Sequence, residues 1–436
     1  MPDAIQQRKE KSGPAAASLQ MPAAPKTVAD LGLDPGLVAS LALKCVYFSG
    51  NATADDIASH MTLPLGPTLE ILDFLRRERL CEILGSESKG LGGYRYSLTA
   101  AGLERASSAL SQSGYAGPTP VPLSAYVDCV EQQSVRDLHI TRDDVESCLA
   151  PLVLGQNTIN LIGQAVTSER AVLLYGESGN GKSTVADCLH AALKGQILIP
   201  YAVEVMRQVI QLYDPAVHKL VQPGPAENAA GRGEVDMRWL RVGRPVVAAA
   251  GELAANHLEL ILDEVSRTYE APIQMKANGG LLVIDDFGRQ HLDAAYLLNR
   301  WIVPLEDGLD TLTLSNGARF LVPFDVIPMF LTNKSPRDLA DDAFLRRIRY
   351  KIEIPGPTTE MFIEIIKREC QRNDVTWDDG AIEHLVDSYF IKPNREMCGC
   401  HPRDLIEAIA DAAEYQGTPR CLSAETIKRA AASYFV

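Results

Sequence analysis

Two stretches of this sequence carry the residue types that phosphate chemistry requires. In Tyr175–Thr184 (YGESGNGKST), Gly176, Gly181, Lys182 and Ser183 satisfy the spacing G-x-x-x-x-G-K-[ST]. Glycines at those positions let backbone N–H groups turn inward around phosphate oxygens, and a following helix adds its positive dipole end. Lys182 would set a cation on the β- and γ-phosphates, and Ser183 a hydroxyl on Mg²⁺. The candidate nucleotide-binding set is therefore Gly176, Glu177, Ser178, Gly179, Asn180, Gly181, Lys182, Ser183 and Thr184. The second stretch is Gly280-LLVIDDFGR, an apolar run ending in Asp285 and Asp286. There Asp285 would hold the hydration shell of Mg²⁺, and Asp286 would orient and polarise an attacking water. The expected ligands are a nucleoside triphosphate and Mg²⁺.

Both stretches need a scaffold. Ala171–Tyr175 is apolar enough to be a buried parallel strand, and Ser183–Lys194 has helical periodicity, which gives the strand–loop–helix context that the motif requires. A strand ending in two carboxylates presents them at its C-terminal edge, where open α/β sheets place their ligands. Gln196-ILIPYAVEV reads as the second strand, with a hairpin around Arg207-Gln208 after it, and Val326-IPMFLTN as a further strand ending in Thr332 and Asn333.

Length and composition set the outer bounds. The chain of 436 residues is expected to hold two or three domains, and 46% apolar with 22% charged residues is ordinary for a globular protein. A formal net charge of −14 opposes sequence-independent binding to nucleic acid or to anionic lipid. No apolar run suits a membrane span and no secretory signal opens the chain, so no membrane insertion and a cytoplasmic location are expected. Nine scattered cysteines point to reduced thiols. Cys398-Gly-Cys400-His401 is the one cluster, and it lacks a partner pair with zinc-type spacing.

In chain order, residues 1–30 read as a disordered leader rich in Ala, Pro and Gln. Residues 31–112 read as three helices and a two-stranded wing, with Thr53 as an N-cap, an order resembling a winged helix-turn-helix domain. Between Asp30 and Arg105 there are seven Lys/Arg against ten Asp/Glu, and Pro64-LGPT offers no base-reading side chain. A protein-interaction role is therefore favoured, with DNA as the alternative. The Pro-rich stretch GPTPVPLS opens a linker, 113–144.

From about residue 145 onward the landmarks in order resemble the AAA+ ATPases. The resemblance implies an α/β fold: a P-loop αβα core over 145–356 and a C-terminal helical lid over 357–436, preceded by the small winged helix-turn-helix domain. It assigns Asn333 to the sensor 1 position. Arg347 is assigned as the arginine finger with Arg346 as the alternative, and Arg403 as sensor 2. Asp286 departs from the pattern, since the family usually has Glu there, and this bears on how fast hydrolysis would be. Leu309-DTLTLSNGARFLVPF, around Asn316-Gly317, resembles the pre-sensor-1 hairpin of the branch that includes the MoxR and magnesium-chelatase groups. A segment like Gly231–Pro245, with Arg232, Arg238, Arg241 and Arg244, typically faces the ring's pore, where Met237 or Trp239 would grip a partner. Arg289 and Arg300 fall near the carboxylate edge without an assigned role. The implied activity is Mg-ATP hydrolysis by a homo-oligomer, a hexameric ring, remodelling a protein partner. A nucleotide-switched DNA-associated factor and an ATP-binding scaffold with little turnover are the alternatives.

Overall fold

The computed structural model describes residues 20–86, 90–168, 170–221, 234–290, 292–339 and 345–435. The amino-terminal unit begins with helix α1 (Pro35–Ser49), started by Pro35 and capped by Asp34, whose carboxylate accepts from the Gly36 and Leu37 amides. After strand β1 (Asn51–Thr53), Thr53 and Asp56 form a reciprocal capping box on α2 (Ala54–Met61). Helix α3 (Leu65–Arg77), strands β2 (Cys81–Ser86) and β3 (Tyr94–Leu98) and helix α4 (Ala100–Gln112) complete the unit. The expected two-stranded wing gains β1 as a third strand, in the order β1-β3-β2. Leu41, Ile57 and Leu72 form its core.

Two expected boundaries move. Within the expected leader, residues 20–30 have defined places: Pro22 accepts from the Asp236 amide, Ala23 bridges to Val235, and Leu31 is buried just beyond. Residues 1–19 lie outside the described part. The expected linker is built into the core as well. Strand β4 (Val121–Pro122) joins a sheet, and helix α5 (Leu123–Gln132) buries Tyr126 and Val130. The prolines make the stretch extended, while its apolar side chains still have to leave water.

Helices α6 (Arg142–Leu149) and α7 (Gln156–Thr167) lead to β5 (Val172–Tyr175), and α8 (Lys182–Ala192) follows the Gly-rich loop. The run expected as one second strand breaks at Tyr201. Its first part, β6 (Gln196–Pro200), pairs antiparallel with β9 (Trp239–Gly243), while β7 (Ala202–Val205) and β8 (Gln208–Gln211) form a hairpin whose turn residues Met206 and Arg207 have φ of 51° and 65°. The outer strand of the main sheet is instead β10 (Val246–Ala249).

The remaining strands are β11 (Ile261–Asp263), β12 (Thr268–Glu270), β13 (Gly280–Ile284), β14 (Leu309–Thr313), β15 (Arg319–Pro323), β16 (Val326–Thr332) and β17 (Tyr350–Glu353). The main sheet is parallel, with order β10-β13-β16-β5-β17. Strands β13 and β16 are buried at every position, as expected of a sheet covered on both faces. Strand β5 lies between β16 and β17, with β13 on the far side of β16, so its loop leaves the same edge of the parallel sheet at which β13 and β16 end. A second five-stranded sheet, β11-β12-β8-β7-β4, supports the hairpin β14–β15, which buries Leu312, Leu314, Phe320 and Val322 against it.

Between β13 and β14 run α9 (Ala294–Arg300) and α10 (Ile302–Asp307). The chain ends in a lid of α11 (Thr359–Arg372), α12 (Asp379–Val386), α13 (Cys400–Gln416) and α14 (Ala424–Tyr434), cored by Phe362, Ile366, Phe390 and Ile406. Among the described residues no helix is long and apolar enough to cross a membrane.

Candidate functional site

The Gly-rich loop leaves β5 through Gly176, Gly179 and Gly181, with φ of 139°, 84° and 86°, conformations that side-chain-bearing residues rarely adopt. Gly181 caps α8, so the first amides of an 11-residue helix open into the loop. Lys182 is 9% exposed, and its Nζ donates to the Gly176 and Glu177 carbonyls at 2.9 Å each. Burial pulls its pKa down, opposed by the carboxylates of Asp285, Glu177 and Asp286.

The two sequence stretches meet at Ser183 and Asp285, where Oγ donates to Oδ2 at 2.7 Å across 102 residues of chain. Asp285 also accepts from the Asp286 amide at 2.7 Å through Oδ1, and its carbonyl accepts from Gln290. Asp286 is exposed and has φ of 50°, within the left-handed region that Asp tolerates better than most residues. The turn that follows is braced from β16: Thr332 Oγ1 donates to the Phe287 carbonyl at 2.8 Å and Lys334 Nζ to the Gly288 carbonyl at 2.8 Å. Thr332 is thus buried and spent on this brace while Asn333 beside it is half-exposed, and both line the cavity.

That cavity has a volume of about 740 Å³. Residues 178–184, Asp285, Asp286, Asn333 and Arg403 all line it, whereas Gly176 and Glu177 act through Lys182. Pro151–Leu154, Cys188 and Ile365 add apolar lining. The lid sits directly on the loop. Asn180 Oδ1 accepts from the Gly399 amide at 3.1 Å, and a Cβ added to Gly179 would fall 2.5 Å from Cys400 Sγ. Arg403, in the first turn of α13, pairs with Asp404 at 2.9 Å while lining the cavity.

These features fit Mg²⁺ and a nucleoside triphosphate. The positive-φ loop supplies the cradle, Lys182 a mobile cation held only by carbonyls, and Ser183 with Asp285 an oxygen pair of the type that magnesium takes.

Other expected residues lie elsewhere. Arg346 and Arg347 do not line the cavity: Arg347 pairs with Glu306 of α10 at 2.7 Å, and Arg346 is exposed. Arg300 is committed within the chain to Glu259 and buried Asp310. Trp239 is 5% exposed, so it cannot grip a partner, while Met237 remains exposed. Arg238 is buried in an ion pair with Asp236, Arg241 donates to Gln196, and Arg244 donates to the Gly279 carbonyl. Arg238 and Arg244, an even number of residues apart at the two flanks of β9, are buried and structural, while Arg241 on the strand's other face is partly exposed; Arg232 lies outside the described residues. His401 Nδ1 accepts from the Cys398 amide, and no group of three or more metal-binding side chains exists among the described residues.

Four charged cavity residues carry no assignment from the sequence. Arg289 follows the carboxylates, and Arg368, Glu369 and Arg372 share one face of α11 with Ile365. Their i, i+3, i+4, i+7 spacing was the available signal.

No curated protein matches the chain. A family model described as a domain of unknown function (DUF8689) matches residues 358–433, which is the lid. Among solved structures, NtrX from Brucella abortus in complex with ATP aligns with a TM-score of 0.38 and 15% identity, over 63% of this chain and 56% of that one. The alignment thus spans little more than half of the NtrX chain. A mutant RuvB of Thermotoga maritima aligns with a TM-score of 0.36 and 14% identity, over 69% of this chain and 72% of that one. Likeness at this level carries no argument about function.

Proposed function

We propose that this protein is a magnesium-dependent ATPase of the AAA+ class, of the pre-sensor-1 hairpin branch, that assembles into a ring and remodels a protein partner. The observation that carries it is the meeting of Ser183 and Asp285 at 2.7 Å beside the Gly-rich loop, with Asp286 and Asn333 next to them. Lys182 exchanges its two loop carbonyls for the β- and γ-phosphate oxygens. Magnesium, when bound, neutralises charge on those oxygens. Asp286 takes the proton of the attacking water and holds its orientation, and Asn333 positions the water from the adjacent strand. Arg403 senses the phosphates from the lid. Arg346 and Arg347, outside their own cavity, serve the neighbouring subunit, with Arg346 the less encumbered of the two. Apolar side chains on the amino-terminal unit support a protein partner over DNA: Phe48, Phe74, Leu84 and Leu91 are each at least half exposed.

The test is phosphate release at rising protein concentration, with magnesium and with chelator. Turnover that requires magnesium and climbs faster than linearly is expected. Tight ATP binding without phosphate release at any concentration would leave the scaffold reading, which the short Asp286 side chain favours.

A further inference from the structure

Beside the apolar lining of the cavity lies one polar group whose partner is missing. Glu369 of α11 is 8% exposed and lines the cavity beside Ile365 and the Pro151–Leu154 segment. Its Oε1 accepts from Arg372 Nη1 at 3.0 Å. Its Oε2 is shut off from solvent and has no hydrogen-bond partner among the described residues.

The nearby cations do not supply one. Arg368 donates to the carbonyls of Ala150, Pro151 and Leu152 at 2.9, 3.3 and 3.4 Å, and its Nε to Glu364 at 2.8 Å. Arg372 is committed to Oε1, and the Asn373 amide group donates to the Glu369 backbone carbonyl at 3.0 Å. An ionised carboxylate accepts only, and a buried oxygen without a donor is costly. Glu369 lines the cavity, and its terminal carboxyl torsion is soft, so the carboxylate can turn to meet a donor that enters there.

We infer that Glu369 is a specificity-determining residue that accepts a hydrogen bond from the nucleoside half of the ligand, either an exocyclic amine of the base or a ribose hydroxyl. The inference rests on the nucleotide-binding reading of the cavity. It follows that a carbonyl oxygen placed where the donor belongs is repelled, so the site rejects nucleosides that present an acceptor there. The phosphate loop grips any triphosphate, and Glu369 selects among them.

Calorimetric titration of the full chain tests this with five ligands: ATP, inosine triphosphate, 2′-deoxy-ATP, 3′-deoxy-ATP and inorganic tripolyphosphate. In the wild type at least one analogue should bind about 10-fold or more weaker than ATP, the range of a charged hydrogen bond. Loss with the inosine analogue identifies the amine, and loss with a deoxy analogue identifies the hydroxyl. Glu369→Met, similar in volume without an acceptor, should weaken ATP by about the same factor and bring the rejected analogue level with it. Tripolyphosphate affinity should not change, which also reports that the phosphate loop is intact. Glu369→Gln, keeping an oxygen without the charge, should discriminate to an intermediate degree. The inference is overturned if the wild type does not discriminate, or if Glu369→Met shifts ATP and every analogue in parallel. Tripolyphosphate binding with no gain from the nucleoside refutes Glu369 alone, whereas absence of binding by both ATP and tripolyphosphate removes the nucleotide reading itself.

Discussion

Gly179→Ala probes the seating of the lid on the phosphate loop. The alanine Cβ would lie 2.5 Å from Cys400 Sγ and 3.3 Å from Cys400 Cβ, in a residue with φ of 84°. The left-handed conformation alone costs an alanine about 1–2 kcal/mol. Relieving the overlap moves α13 away and takes the Gly399 amide from Asn180 Oδ1, a further loss of about 0.5–1.5 kcal/mol. A total of about 1.5–3.5 kcal/mol corresponds to roughly 10- to 400-fold in ATP affinity when the docked lid is the binding form. Cys400→Ala removes the sulfur and leaves the backbone strain with the milder 3.3 Å approach to the Cβ at position 400. In that background the same substitution should cost about 1–2 kcal/mol, or roughly 5- to 30-fold. Titration calorimetry on the four proteins of the cycle measures the coupling, and hydrogen exchange of residues 398–403 reports lid release. Equal losses in both backgrounds, or unchanged affinity in Gly179→Ala, would refute a lid seated on this glycine.

Three other perturbations act on separate parts. Lys182→Ala should abolish ATP binding with the fold retained by circular dichroism, since its ammonium meets only loop carbonyls; Asp285→Asn should lose magnesium-dependent turnover, and Asp286→Asn should bind ATP without releasing phosphate. Arg346→Ala and Arg347→Ala should keep ATP affinity within a few-fold, and the finger among them should lose about 10³–10⁵ in turnover; mixing that variant with Lys182→Ala should regain activity once subunits exchange, and an inert mixture despite exchange counts against a shared site. Lys44, buried in α1 and bonded to the Ser113 and Tyr115 carbonyls, has its pKa lowered to about 8 by desolvation. Its folded value lies below the unfolded one, so the penalty is complete below pH 8, and stability from this site should rise as pH climbs from about 8 toward 10.5. Thermal melts of Lys44→Met against wild type should show that slope lost.

The parts legible in the sequence were those written in local code. Glycine spacing at 176–181 predicts the positive-φ loop, and an apolar run ending in two aspartates predicts the strand edge that meets Ser183. Asn316-Gly317 likewise marks the β14–β15 turn. What stayed hidden depended on partners distant in sequence. The hairpin read around Arg207-Gln208 is the β7–β8 pair, but Gln196–Val205 is largely apolar, and nothing local says that it breaks at Tyr201 or that its first half pairs with a strand as distant as Trp239–Gly243. Trp239 and the arginines around it read as a gripping surface because residue type does not disclose burial. Proline content suggested a linker at 113–144, although Val121, Tyr126 and Val130 had to be covered. Glu369 was invisible for a related reason: an orphan oxygen is a property of its surroundings.

The hairpin that precedes the sensor strand is fastened at its tip. Tyr269 Oη meets Ser315 Oγ at 2.6 Å and accepts from the Ser315 amide at 3.0 Å, so the hairpin is tied to the second sheet beyond its buried face. That sheet is tied in turn to the amino-terminal unit through the Arg207–Asp34 pair, and beside the separate β6–β9 pair Arg238 reaches the Leu31 and Pro120 carbonyls at 3.4 and 3.3 Å. Hairpin, sheet and amino-terminal unit are thus joined in series, starting from the strand that ends beside Asn333. Tyr269→Phe removes the hydroxyl at the hairpin tip and Arg207→Ala the ion pair, so each cuts one link of that series at a distance from the nucleotide cavity.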